Sequence, residues 1–172
     1  MRVGIGYDIH RFGSDAPLIL GGVTFPGEPG LIAHSDGDAV MHAIADAALG
    51  AAGLGDIGDY FPDTDPKWED ADSSLILTEA LRLAAEKRSL YPVNVDVNVV
   101  AQRPRLGEKK AIMRGRLAEI LSLPAEQVNL KARTAEGLGP VGRGEAVEVQ
   151  ALILMEEGPP ENLRTTSGSP GR

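Results

Sequence analysis

The chain has 172 residues, a formal net charge of -8 and no cysteine. That length suits one domain with a sizeable core, and the missing cysteine excludes disulfides, thiolate nucleophiles and sulfur-ligated metals. Lys and Arg number 17 against 25 Asp and Glu, with no basic stripe, which excludes general nucleic-acid binding and leaves any anionic ligand dependent on locally placed cations or metal ions.

No apolar run approaches the roughly 20 residues that span a bilayer, so no membrane partner is expected. The N-terminus enters a strand pattern without secretory signal features, which makes the cytoplasm the default compartment. The first strand is predicted over about 2 to 12. Alternation puts Val3, Ile5, Tyr7 and Ile9 on one face, expected to be core, and Gly4, Gly6, Asp8 and His10 on the other. There the glycines leave room, and the acid and the imidazole stand roughly 6.5 Å apart along the strand.

LILGGVTFPGEPG, 18 to 30, predicts a short hairpin around its Gly-Gly turn. Ser35, Asp36 and Asp38 supply N-cap chemistry for an alanine-rich helix from about Asp38 to Gly50 or Gly53. LGDIGDYFPDTDPKWEDAD, 54 to 72, is rich in Gly, Pro and Asp and predicts an extended loop. A second helix opens at Ser73 and Ser74, with Leu75, Leu77, Leu81 and Ala84 among its apolar positions. YPVNVDVNVVA, 91 to 101, alternates as a strand with Val93, Val95, Val97 and Val99 on one face. A third helix follows over about 107 to 122, then strands over 129 to 134 and 145 to 155.

Between those strands GLGPVG, 137 to 142, matches G-x-G-x-x-G. A dinucleotide site needs that motif to open a helix, whereas here a strand pattern continues; the loop can still offer backbone N–H groups to phosphate. Residues 158 to 172 have almost no apolar content and are expected to be a disordered tail, leaving one catalytic domain over 1 to 157. The predicted fold is α/β of the α+β kind: a four-stranded mixed, ferredoxin-like sheet backed by helices on one face. The opposite face then needs a cover, and self-association would supply it.

The chain has three histidines, His10, His34 and His42, each inside a polar cluster. Asp38, His42 and Asp46 recur at i, i+4 and i+8 and so share a helix face, where a carboxylate could fix the imidazole tautomer from outside a metal site. Asp8, His10 and His42 would give three N/O ligands and one open position, the catalytic zinc pattern. The competing reading is a core His42 bonded to Asp46 and a surface Asp8–His10 pair, since D-x-H alone is a short motif. Asp56, Asp59, Asp63 and Asp65 could bind a second hard cation or a polyol, or form a solvated acidic turn. KARTAEG, 131 to 137, sets a cation, a hydroxyl and Glu136 beside the Gly-rich loop.

Taken together, YDIHRF, LIAHSDGDAVMHAIADAALG, LGDIGDYFPDTDP, AQRPRL and EGLGPVGRGE resemble, in order and over about residues 1 to 156, the 2-C-methyl-D-erythritol 2,4-cyclodiphosphate synthase family. The resemblance implies an enzyme of non-mevalonate isoprenoid synthesis. It would convert 4-diphosphocytidyl-2-C-methyl-D-erythritol 2-phosphate into the cyclic diphosphate and CMP, as a homotrimer with active sites between subunits. It implies Asp8, His10 and His42 as ligands of zinc or another divalent cation, with Asp46 as their outer partner. His34 and Ser35 match the pair near the 2-phosphate, and Asp56 and Gly58 the groups that hold the methylerythritol, with Asp63 a further substrate contact. From the adjacent subunit, Ala101 through Leu106, including Pro104 and Arg105, match the cytidine pocket together with Ala132. Thr134 matches a diphosphate contact and Glu136 a ligand of magnesium or manganese. Arg133 and Arg143 are carried over as substrate-binding, and His34 and Thr134 as catalytic.

That chemistry suits the composition. A 2-phosphate is already anionic, so the reaction needs no protein nucleophile; it needs positioning, exclusion of water and charge neutralisation. Some positions depart from the family pattern. Arg133 and Ala135 leave Thr134 as the one hydroxyl in a run usually rich in threonine, Arg105 stands where lysine is common, and Pro140 replaces an aromatic that in many members lines a cavity on the threefold axis. Two other readings remain: a zinc-dependent nucleoside-diphosphate hydrolase, and a non-enzymatic trimeric module with a structural metal.

Overall fold

A computed structural model describes residues 1–62 and 64–158, so the expected tail beyond Gly158 lies outside the described residues. In chain order the elements are β1 (Arg2–Leu20), β2 (Val23–Leu31), α1 (Ala39–Ala52), α2 (Ile57–Tyr60), α3 (Ser73–Arg88), β3 (Leu90–Val100), α4 (Lys110–Leu121), β4 (Val128–Arg133), α5 (Gly139–Gly142) and β5 (Ala146–Glu157). Among the described residues the sheet has five strands, in the order β2-β1-β5-β3-β4, rather than four. The extra strand arises because β1 continues to Leu20 and returns as β2 through Gly21 and Gly22. Both glycines take positive φ, 57° and 71°, the backbone that a two-residue hairpin turn requires.

β3 and β4 pair in parallel and the other pairs are antiparallel, so the sheet is mixed as expected. β1 and β3 run the same way with β5 between them, the split βαβ of ferredoxin-like folds. β4, however, is reached by a second crossover directly beside β3, which departs from the ferredoxin alternation. α1 packs on β1, β5 and β3, α3 packs on α1 and β3, and α4 packs on β4.

The expected core face of β1 is reversed. Val3, Ile5, Tyr7 and Ile9 are 61%, 72%, 52% and 43% exposed, as is Leu152 of β5 at 42%. The glycine face carries α1 instead: a Cβ at Gly4 would lie 1.8 Å from the Ala47 carbonyl oxygen, and one at Gly6 would lie 1.9 Å from that of Ala43. Alternation says which side chains share a face, not which face is covered. Here the absence of side chains lets the helix backbone rest on the strand.

α1 is buried nearly all round, which its alanines permit without leaving voids. Its N-cap Asp38 is fully buried, and its carboxylate accepts from Val40 and Met41 of the helix and from Gly21 and Gly22 of the hairpin turn, the last two at 2.9 and 2.7 Å. Asp38 therefore ties β1–β2 to α1 instead of facing the histidines. Burial pushes its carboxyl up, and the backbone donors offset part of that cost. Asp38→Ala should lose about 1–2 kcal/mol for the cap and more for the stranded turn donors. Chemical denaturation would register it as a lower midpoint.

The expected loop over 54 to 72 holds structure: α2, a single 3-10 turn at Pro66–Trp68, and the buried aromatics Phe61 and Trp68. Among the described residues no helix is long and apolar enough to cross a membrane.

Candidate active site

Because α1 lies directly on β1, His42 meets the ends of Asp8 and His10. The Asp8 Oδ2 is 2.9 Å from His10 Nε2 and 3.2 Å from His42 Nδ1, and the two ring nitrogens are 3.4 Å apart. One donor atom from each residue falls within 4.8 Å of the others. Burial pushes the Asp8 carboxyl up, but the hydrogen bonds and charges of His10 and His42 together outweigh it and hold it at about 2. Asp8 is thus a carboxylate at any working pH.

The donor set fits a divalent cation. His10 Nδ1 lies 3.0 Å from the Ile32 carbonyl oxygen, which can only accept, so Nδ1 carries a hydrogen and Nε2, which faces the Asp8 carboxylate, is the nitrogen left to a cation. A cation can replace the hydrogens that His10 Nε2 and His42 Nδ1 share with Asp8, and an N/O set of this kind suits zinc and its neighbours.

Asp46 does not take the place expected of it. Its Oδ1 accepts from the Ile57 N–H at 3.3 Å and so anchors the start of α2. His42 Nε2 is met instead by the hydroxyls of Ser35 and Ser73, at 3.1 and 2.9 Å. Burial pushes the Asp46 carboxyl up, and the charges of Asp56 and Asp8 add to that shift.

The triad forms the floor of a cavity of about 290 Å³ that His34 and Ser35 also line. His34 Nε2 is buried with no hydrogen-bond partner among the described residues, an acceptor or donor left for a ligand. The cavity wall is apolar, built from Ile57, Phe61, Trp68 and Ile76. Phe61 and Trp68 stack edge to face with centroids 4.9 Å apart. Sequence reasoning missed this wall, although a tryptophan and a phenylalanine inside an Asp- and Pro-rich stretch were a visible signal. Asp56 caps α2 and exchanges hydrogen bonds with Asp59, and Gly58 follows Ile57 within that turn. Asp63 lies outside the described residues.

A second cavity, about 370 Å³, opens at the C-terminal ends of β3 and β4. It brings together Ala101, Gln102, Pro104, Arg105, Leu106, Ala132, Arg133 and Thr134, and adds Lys110, which lies outside the residues the sequence pointed to. Among the described residues none lines both cavities. Glu136 takes positive φ, 52°, and its carboxylate accepts from the Thr134 hydroxyl at 2.6 Å. Arg143 joins neither cavity; it is exposed and pairs with Glu145 at 2.7 Å. The Gly-rich loop holds one helical turn, α5, and then passes into β5, so the G-x-G-x-x-G match has no dinucleotide context.

The YgbB family model matches residues 1–156. A 2-C-methyl-D-erythritol 2,4-cyclodiphosphate synthase of Desulfosudis oleivorans is 52% identical over 159 residues, 91% of this chain and 94% of that protein. Among solved structures, the bifunctional IspDF of Campylobacter jejuni superposes with a TM-score of 0.86 at 42% identity, over 91% of this chain; the chain spans 42% of that longer protein. A 2-C-methyl-D-erythritol 2,4-cyclodiphosphate synthase in its CDP-bound form gives a TM-score of 0.82 at 40% identity, covering 90% of this chain and all of that one. With a family model across nearly the whole described chain and relatives at these identities, the chain belongs to the YgbB family, that of the 2-C-methyl-D-erythritol 2,4-cyclodiphosphate synthases.

Proposed function

We propose that this chain converts 4-diphosphocytidyl-2-C-methyl-D-erythritol 2-phosphate into 2-C-methyl-D-erythritol 2,4-cyclodiphosphate and CMP. The observation that carries the reading at the level of chemistry is one cavity that joins Asp8, His10 and His42 to an unpartnered His34 and an apolar wall. An oxygen of the 2-phosphate attacks the β-phosphorus, the bond from that phosphorus to the oxygen bridging to the α-phosphate breaks, and CMP departs with that oxygen. His34 Nε2 and the Ser35 hydroxyl hold the 2-phosphate in line, and no general base is required because the attacking group is anionic. Asp56, Gly58 and Asp63 contact the polyol, while Ile57, Phe61 and Trp68 exclude water from the reacting phosphates.

Asp8, His10 and His42 would hold zinc or another divalent cation, and Glu136 magnesium or manganese with the diphosphate, supplying the positive charge that an acidic chain lacks. The cytidine is held by Ala101 to Leu106 and Ala132, and the diphosphate by Thr134, with Arg133 near both. All of these but Arg103 line the second cavity, which shares no described residue with the first in one chain; they come from a neighbouring copy in a homotrimer. The exposed apolar face of Val3, Ile5, Tyr7, Ile9 and Leu152 supports that assembly. Arg143, turned to Glu145, would reach substrate only by exchanging that partner.

Incubating the CDP-linked substrate with the metal-loaded protein and resolving the phosphorus-containing products tests the reading. CMP with the cyclic diphosphate supports it; CMP with a linear phosphate ester would establish the hydrolase instead. Light scattering in solution should give the mass of three chains.

Proton competition gives a further expected result. Ligating imidazoles must be unprotonated, whereas Asp8, held at about 2, has no proton to lose. Metal affinity should therefore fall as pH drops from neutral toward the acid side, with proton release approaching two per metal and never three. Calorimetry in buffers of different ionisation enthalpy counts those protons.

A further inference from the structure

The outer partner of His42 is not the carboxylate on its own helix. Ser73, at the first position of α3, is fully buried and places its Oγ 2.9 Å from His42 Nε2. The same hydroxyl donates to Asp36 Oδ1. The Asp36 carboxylate is itself pinned, accepting from the backbone N–H groups of Ser73 at 3.2 Å and Asp38 at 3.1 Å. The Asp36 N–H in turn donates to the Ala71 carbonyl.

A hydroxyl has one hydrogen, and a carboxylate can only accept. Asp36 takes the Ser73 hydrogen, so Ser73 can offer His42 only a lone pair, and Nε2 must carry the hydrogen between them. Without a metal the Asp8 carboxylate, 3.2 Å from Nδ1, competes for that hydrogen; the relay holds it on Nε2 and so frees the Nδ1 lone pair, which faces Asp8 and His10, for a cation. Were the tautomer reversed, a hydrogen would stand where a metal must bind. Ser35 also approaches Nε2, at 3.1 Å, but it lines the open cavity, which Ser73 does not.

We propose that Asp36 and Ser73 are positioning residues that fix the tautomer and ring orientation of His42, through a relay running Asp36, Ser73, His42. The relay rests on the reading of Asp8, His10 and His42 as metal ligands. It assigns to a loop carboxylate and a helix-start hydroxyl the role that sequence spacing gave to Asp46, and outer partners of this kind commonly tune metal affinity 10- to 100-fold.

The test uses Asp36→Asn, Ser73→Ala and the double variant of the full chain, each shown to be folded by circular dichroism. Asp36→Asn preserves shape but replaces one acceptor oxygen with an NH2 donor, which disturbs the acceptance of the Ser73 hydrogen, so it remains informative should Ser73→Ala not fold. Long-range proton–nitrogen spectra of the metal-free protein at mildly alkaline pH report the tautomer of each of the three imidazoles. Zinc affinity is read by competition with a chromophoric chelator.

His42 should carry more of its hydrogen on Nε2 in the wild type than in either single variant, where the Asp8 carboxylate draws it to Nδ1, and each variant should bind zinc about 10- to 100-fold more weakly. The double variant should be little worse than the weaker single one, because both changes break one relay. Folded variants with an unchanged Nε2–H signal and wild-type zinc affinity would overturn the relay. Failure of the wild type to bind zinc would strike the ligand assignment instead, and the tautomer spectra of the metal-free chain would still decide the relay.

Discussion

His42→Ala is expected to lower turnover about 1,000-fold, the scale seen when a group stabilising charge in the transition state is removed, and to abolish tight zinc binding. The fold should survive. The packing that seats α1 comes from Ala43, Ala47 and Ala51 against the glycine face of β1, and none of it involves the imidazole. What is lost is one ligand of three, together with the hydrogen bonds to Ser73 and Ser35. An assay of CMP release, paired with zinc analysis and light scattering, separates the readings. A folded, oligomeric, metal-poor and inactive protein fits a catalytic metal, whereas collapse of the oligomer on zinc loss would favour a structural one.

Gly6→Ala should damage both fold and site. The added methyl would sit 1.9 Å from the Ala43 carbonyl oxygen and 2.7 Å from the Ala47 nitrogen, and backbone cannot swing aside as a flexible side chain does. α1 has to move away on the order of 1 Å, with an overpacking cost of about 3 kcal/mol. That is a large share of the roughly 5–15 kcal/mol that holds an ordinary domain together. His42 precedes Ala43 on the displaced helix, so a shift of this size should also cost about 100-fold in turnover. Thermal denaturation and zinc affinity should fall together. Gly115→Ala in α4 is the opposite control: nothing lies within 4 Å of its Cβ position, and helix propensity predicts a gain of about 0.5–1 kcal/mol. A Gly6→Ala protein with wild-type melting temperature and zinc affinity would refute the close-contact account.

The elements that local chemistry dictates were legible in the chain. Asp38 caps α1 and Gly53 closes it in the left-handed conformation, as their residue types favour. β3 and β5 lie within a residue or two of where alternation put them. The motif set that resembled the cyclodiphosphate synthases agrees with the family match over residues 1–156. Less legible was the stretch over 54 to 72, because its Gly, Pro and Asp mark turns but do not reveal that Phe61 and Trp68 turn inward to wall the cavity.

By itself the sequence determined which residues could ligate a metal, which excluded thiol chemistry, and where helices start and stop, because these depend on residue type and near neighbours along the chain. Only the tertiary structure decided which face of β1 is covered, because alternation is symmetric between faces until a helix lands on one. It also decided that Asp46 anchors α2 while Ser73, 31 residues beyond His42, reaches its ring. Helical spacing can rank only the neighbours on one helix, and the partner that completes His42 arrives from another.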